Sequence, residues 1–173
     1  MIDRDRLSAL RTDEEERFAG LHLRSAELAS RADGALLAGV PMPWMTRWPG
    51  RFPLFVDTAV GARLTDVDGV EYVDLCLGDT GAMTGHALPQ VTEAITGRAA
   101  RGLTTMLPSP DAIWVAEELA RRFGLPAWQL AMSATDANRF VLRFARHLTG
   151  RPRVAVMDWC YHGTVDETLA VLD

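Results

Sequence analysis

"LAMSATDANRF", Leu130 to Phe140, decides how this chain is read. An apolar lead-in ends in the small residues Ser133, Ala134 and Thr135, and a helical pattern starts at once with Asp136. A strand that turns directly into a helix leaves free backbone N–H groups and the positive end of a helix dipole aimed at one point, which is the physical basis of an anion site. The same spacing, Ser133 followed three residues later by an acid, also fits an ordinary capping arrangement that needs no ligand.

Around this stretch helices and strands alternate. Pro89 opens a helix to about Arg101, Ser109-Pro110-Asp111 starts a second that Gly124 ends, and Thr135 to Leu148 forms a third stopped by Gly150. "WQLAM" (128–132) and "RVAVMDW" (153–159) read as strands. This is the grammar of an α/β fold with a mainly parallel sheet and flanking helices, in which ligands bind at the carboxyl ends of strands. "MSAT" and "CYHG" (160–163) both fall on that rim. Two core strands are few for such a sheet, so the sheet reads as incomplete.

The first half is organised differently. Thr12 with Glu15 forms a capping box for a helix with an acidic first turn and a thin apolar stripe of Phe18, Leu21 and Leu28. "GVPMPWMTRWPG" (39–50) is too proline-rich for a helix and too aromatic for a simple linker, so it reads as a structured loop. From Phe52 to Gly78 alternating strands are separated by Val60-Gly61 and Asp68-Gly69, a small antiparallel meander. The expected domains are 1–85, holding the N-terminal helix, aromatic loop and meander, and 86–173, the first part of an α/β domain.

Composition narrows the function. The chain has 173 residues, 48% hydrophobic and 24% charged, enough for a globular core. A net charge of −5 with no basic run argues against nucleic acid and anionic lipid. The charged start and the lack of a long apolar run point to a cytoplasmic protein with no membrane span. Cys76 and Cys160, unpaired in spacing, read as free and partly buried thiols, and no metal site is expected. All 18 basic residues of the Lys plus Arg count are arginines, so no step that needs a side-chain amine can be completed by this chain. A thiol hydrolase built on Cys160 and His162 is a poor reading, because residues two apart seldom face each other and no orienting third group is evident.

"LTDVDGVEYVDLCLGDTGAMTGHALPQVTEAI" (64–95) and "MSATDANRFVLRFARHLTGRPRVAVMDWCYHG" (132–163) resemble the N-terminal region of the class III, fold type I, pyridoxal-phosphate aminotransferases. The nearest branch is that of glutamate-1-semialdehyde aminomutase and the β-amino acid transaminases. Asp-x-Asp-Gly, Gly-His-x-x-Pro, the Ser-x-Thr loop and Tyr-His-Gly occur in the family's order, from about Pro43 onward. The resemblance implies that the amides of Ala134 and Thr135, with a hydroxyl from Ser133 or Thr135, hold the phosphate of pyridoxal 5′-phosphate, and that Tyr161 stacks on its ring. It makes His162 and Gly163 turn-formers and His86 a structural histidine fixing a loop.

Departures matter as well. Ala134 stands for the family's glycine and Asp136 for its glutamate. Where the aminomutase branch carries a substrate-clamping arginine this sequence aligns Trp44, and where it carries a tryptophan, Asp79. A transaminase with an aromatic or otherwise unusual substrate is therefore expected, with Trp44, Arg47 and Asp79 as candidate substrate contacts and Arg47 or Arg51 as the carboxylate clamp. The family's Schiff-base lysine and the aspartate partner of the pyridinium nitrogen lie beyond residue 173. The chain thus resembles the N-terminal portion of such an enzyme, with no catalytic residue of its own, completed by a C-terminal part, homodimeric when whole, and acting on an amino donor and a keto acid acceptor. The alternative is a non-catalytic α/β module that binds a phosphorylated ligand or a protein partner.

Overall fold

Helix α1, Arg4–Leu21, begins where Asp3 accepts the N–H groups of Asp5 (3.1 Å) and Arg6 (3.0 Å). The expected start at Thr12 is incorrect: Thr12 lies inside the helix and donates its hydroxyl to the Ser8 carbonyl (3.1 Å), while Glu15 pairs with Arg11 (2.8 Å). Asp3 is an equally good cap, and the leucine-, alanine- and arginine-rich run behind it favours helix from the earlier start. This computed structural model describes residues 3–158 and 160–169. They form two units, Met1–Thr104 and Thr105–Asp173.

In the first unit the helix breaks at His22 (φ −124°, ψ 52°) and continues as α2, Leu23–Asp33. His22 supplies no side-chain cap. Asp68, from a turn more than forty residues away, does so instead, accepting the N–H of Arg24 (2.7 Å) and both the N–H (2.9 Å) and hydroxyl (2.7 Å) of the fully buried Ser25. Burial pushes the Asp68 carboxyl up, but these bonds outweigh it and hold it below the usual range. The buried His22 ring lies between the Phe18 carbonyl, to which Nδ1 donates (2.6 Å), and the Tyr72 hydroxyl (2.7 Å from Nε2). Tyr72 in turn donates to Asp66 (2.8 Å).

Those last residues belong to the meander: β1 Val56–Val60, β2 Arg63–Asp66 and β3 Glu71–Val73, antiparallel in that order, as expected from the turn signals. Val60 faces Arg63 and Arg63 faces Val73 in register. Gly61 then exchanges two backbone bonds with His86 (3.0 and 2.8 Å), and His86 Nε2 meets Asp74 at 2.6 Å. His86 is thus the loop-fixing histidine its motif suggested. α3, Pro89–Ala99, follows with its proline in the first turn.

The second unit carries α4 (Pro110–Phe123), α5 (Ala134–Thr149) and the short α6 (Asp166–Leu169). Gly124 (φ +70°) and Gly150 (φ +65°) end α4 and α5 in the left-handed conformation glycine makes cheap. The mainly parallel sheet, by contrast, is not present among the described residues. Neither 128–132 nor 153–158 enters a ladder, and the described sheet is the antiparallel meander alone; Trp159 lies outside the described residues. A parallel strand takes its order from hydrogen-bonded neighbours, and none is offered here: Leu130 is 50% and Met132 97% exposed, and the Trp128 indole donates locally to the Leu125 carbonyl (3.1 Å). Both cysteines are free, but exposed rather than partly buried. Among the described residues no helix is long and apolar enough to cross a membrane.

Candidate functional site

The start of α5 answers the capping question first. Ser133 is the N-cap, its oxygen accepting the Asp136 N–H (3.1 Å) while its hydroxyl donates to the Asp136 carboxylate (2.9 Å). The Ser133 carbonyl accepts Ala137 N–H (3.1 Å). This leaves the N–H groups of Ala134 and Thr135, the first two of the helix, with no acceptor within it. They point out of the helix start at the positive end of its dipole.

A second segment is laid against the same helix turn. The Thr164 N–H donates to Thr135 Oγ1 (3.1 Å), and Asn138 Nδ2 donates to the His162 carbonyl (2.8 Å). Between them Gly163 is buried, with φ +82°. A Cβ placed there would lie 2.5 Å from Thr135 Oγ1 and 2.9 Å from Thr135 Cα. No side chain fits, so the Tyr-His-Gly turn can approach the helix this closely only because residue 163 is glycine. Beyond the turn Val165 is fully buried, and its carbonyl receives the N–H groups of Thr168 (2.9 Å) and Leu169 (3.1 Å).

Ser133, Ala134 and Thr135 are therefore together, and Tyr161 leads directly into the anchored His162, its own side chain 75% exposed. Since Thr135 Oγ1 acts as acceptor toward Thr164, its hydrogen stays available for donation. Beside the helix start a shallow, mainly apolar depression of about 250 Å³ is lined by Leu130, Ala131, Met132, Asp136 and Phe140. Farther along α5, Arg146 bonds the Pro152 carbonyl (3.0 Å) and pairs with Glu167. The backbone N–H of Glu167 and the Arg146 guanidinium hold that carboxyl below its usual range.

Trp44, Arg47 and Asp79 belong to the other unit. Trp44 and Arg47 sit on a 3-10 turn, Pro43–Arg47, where the Trp44 and Trp48 rings meet edge to face (6.0 Å, 67°). Asp79 lies in a tight turn at φ +54°, donating its N–H to the Cys76 carbonyl (3.1 Å). Arg51 faces Glu15 at 3.9 Å. No group of three or more metal-ligating side chains occurs among the described residues. Sequence reasoning missed Asn138; its signal was helical spacing, since residue 138 shares a face with 134 and 135.

The model of the family "Aminotransferase class-III" matches residues 44–173. Glutamate-1-semialdehyde 2,1-aminomutase of Desulfitobacterium hafniense (strain DSM 10664 / DCB-2) is 37% identical over 148 residues, 84% of this chain and 34% of that protein. The crystal structure of a glutamate-1-semialdehyde-aminomutase from Pseudomonas aeruginosa PAO1 superposes with a TM-score of 0.89 at 54% identity, covering 96% of this chain and 37% of that one. A transaminase solved with PLP bound follows at TM-score 0.75 and 32% identity, over 84% of this chain and 34% of that one. The chain spans about a third of the length of these relatives. With three quarters of its residues inside the family's match, this chain belongs to the class-III aminotransferases.

Proposed function

We propose that the chain is the N-terminal portion of a pyridoxal-phosphate-dependent transaminase, moving an amino group between an amino acid or amine and a keto acid once a lysine-bearing C-terminal part completes it. The observation that carries this reading is the joining of two cofactor motifs: Gly163, where a Cβ would lie 2.5 Å from Thr135 Oγ1, lets the Tyr-His-Gly turn lie directly on the helix start. The donor set fits the cofactor's phosphate. Two N–H groups, Ala134 and Thr135, and the free hydroxyl hydrogen of Thr135 suit a dianion through charge-assisted bonds. The Tyr161 ring, exposed and next to the anchored residue, suits a flat heteroaromatic ring.

When bound, pyridoxal phosphate supplies an electron sink for the substrate's α-carbon. The residues of this chain would hold it: the amides of Ala134 and Thr135 would bind the phosphate end and the Tyr161 ring would face the heterocycle. Proton movement is assigned to the complementing segment, because the sequence has no lysine. In the other unit Arg47 is the better carboxylate clamp, since Arg51 already faces Glu15 at 3.9 Å. The Trp44–Trp48 pair offers apolar edges to a substrate, with Asp79 a further candidate contact. A homodimeric complete enzyme, a cytoplasmic location, and residues 86–173 as the beginning of the cofactor-binding domain belong to the same reading. Exposed apolar side chains on α5, Phe144 (61%) and Leu148 (81%), are consistent with cover by the complement.

The test is titration of the full chain with pyridoxal phosphate, with pyridoxal, and with inorganic phosphate, followed by absorbance and borohydride trapping. The expected result is weak binding that needs the phosphate group and leaves no covalent mark on any side chain. Coexpression with a C-terminal segment carrying the lysine should then give a coloured complex that converts an amine to a ketone. A correctly folded complex that retains no cofactor, or amine turnover by this chain alone, would sink the proposal.

A further inference from the structure

We infer that Asn138 is a positioning residue: by holding the His162 carbonyl it sets the ring-facing segment 160–164 at a fixed height over the phosphate-binding amides. The inference deepens the functional reading above and rests on it. The two segments are distant in sequence, with Thr135 and Thr164 twenty-nine residues apart and Asn138 and His162 twenty-four. Phosphate and ring are joined through one rigid cofactor, so the segments that hold them must keep a constant separation to within a fraction of an ångström.

Three contacts do this, and each acts on a different group. Thr135 Oγ1 takes the Thr164 N–H (3.1 Å), Asn138 Nδ2 gives to the His162 carbonyl (2.8 Å), and Gly163 closes the gap between them. Asn138 lies four residues after Ala134 and three after Thr135, one helical turn below the amides on the same face. The partner of Asn138 is a carbonyl oxygen, which only accepts, so the amide nitrogen must face it. Asparagine is accordingly specific at this position. Aspartate would set acceptor against acceptor, alanine would leave the carbonyl without its donor, and glutamine would reach too far by one methylene. Thr135 has two separable tasks, since its oxygen registers the turn while its hydrogen is left for the ligand.

The experiment uses the full chain and two readouts. The first is backbone amide exchange without ligand. In Asn138→Ala and Asn138→Asp the amides of residues 162–164 should exchange roughly fivefold faster or more, the loss of one ordinary hydrogen bond. Amides around Ser25, in the other unit, should keep their protection and report that the chain is folded. The second readout is affinity. Asn138→Ala should weaken pyridoxal phosphate by roughly fivefold or more while inorganic phosphate, which touches only the helix start, changes by less than about twofold. Asn138→Gln should lie between. Unchanged exchange at 162–164 would overturn the latch whatever the ligands do. Equal loss of both ligands would make Asn138 a prop of the helix start and overturn the positioning role. Wild-type chain that binds neither ligand, even with its complement, would overturn the functional reading while the exchange data still decide whether the latch exists.

Discussion

Replacing Gly163 by Ala tests whether the contact between the Tyr-His-Gly turn and α5 is as tight as it looks. Two penalties add. At φ +82° an alanine costs about 1–2 kcal/mol of left-handed strain. Its Cβ would also meet Thr135 Oγ1 at 2.5 Å and Thr135 Cα at 2.9 Å, and a backbone carbon cannot rotate away. The turn must therefore back off, and the bonds from Thr164 N–H (3.1 Å) and Asn138 Nδ2 (2.8 Å) stretch with it, at about 1 kcal/mol each. The sum is about 3–4 kcal/mol of local stability. Native-state amide exchange at Thr164 and Thr168 reads this directly, because opening free energies are reported residue by residue. Two companions dissect the sum. Gly163→Asn tolerates the left-handed conformation better but keeps the clash, so it should remain clearly destabilising. Thr135→Ala in the Gly163→Ala background removes the 2.5 Å contact but not the 2.9 Å one, so rescue should be partial. Complete rescue, or a Gly163→Ala chain whose exchange at Thr164 is unchanged, would refute the reasoning.

Three other perturbations have clear signs. Ser133→Ala removes the α5 cap and should destabilise the helix by about 1 kcal/mol, measured as faster exchange of the Asp136 amide. The His86 imidazole, together with the N–H groups of Leu77 and Cys76, holds the Asp74 carboxyl below its usual range, so its contribution is present above about pH 4 and is lost as the pH falls through the folded value; a carboxyl NMR titration should show the depressed value, and His86→Ala should return it toward normal. Burial, then the bond to Asp66, pushes the Tyr72 phenol up to about 12, so the contribution of the neutral phenol is complete below about pH 10 and lost as the pH rises from there to about 12; phenolate absorbance in a Tyr161→Phe background should show this late titration, and Tyr72→Phe should abolish it.

Local signals were legible in the sequence and distant partnerships were not. Glycine at 61 and 69 marked the meander turns, and Pro89, Pro110, Gly124 and Gly150 marked the helix ends, because each acts through its own φ. Thr12 and Glu15 misled because the spacing of a capping box is also an ordinary helical spacing, and only the presence of Asp3 upstream decides between them. The break at His22 was invisible for another reason: the partner of the His22 ring is Tyr72, fifty residues away, and the cap of α2 is Asp68. The parallel sheet does not form among the described residues. An apolar run such as "WQLAM" announces that it wants burial, but does not say which strand will supply its ladder.

The Ser133 cap leaves donors over for an anion at the start of α5. The cap uses the Ser133 hydroxyl and the Asp136 N–H, the third amide of α5. An anion on the helix axis calls first on the two amides ahead of it, those of Ala134 and Thr135, which the cap does not touch. The two arrangements call on different donors and are therefore compatible. What they share is the local field, and there the Asp136 carboxylate accepts the Ser133 hydroxyl (2.9 Å). Its charge does oppose a dianion, which shifts the burden of holding a phosphate onto the amides and the Thr135 hydroxyl hydrogen. That is why the geometry of the Thr135–Thr164 bond matters more to the proposed function than the identity of the cap: it leaves Thr135 with its oxygen engaged and its hydrogen free.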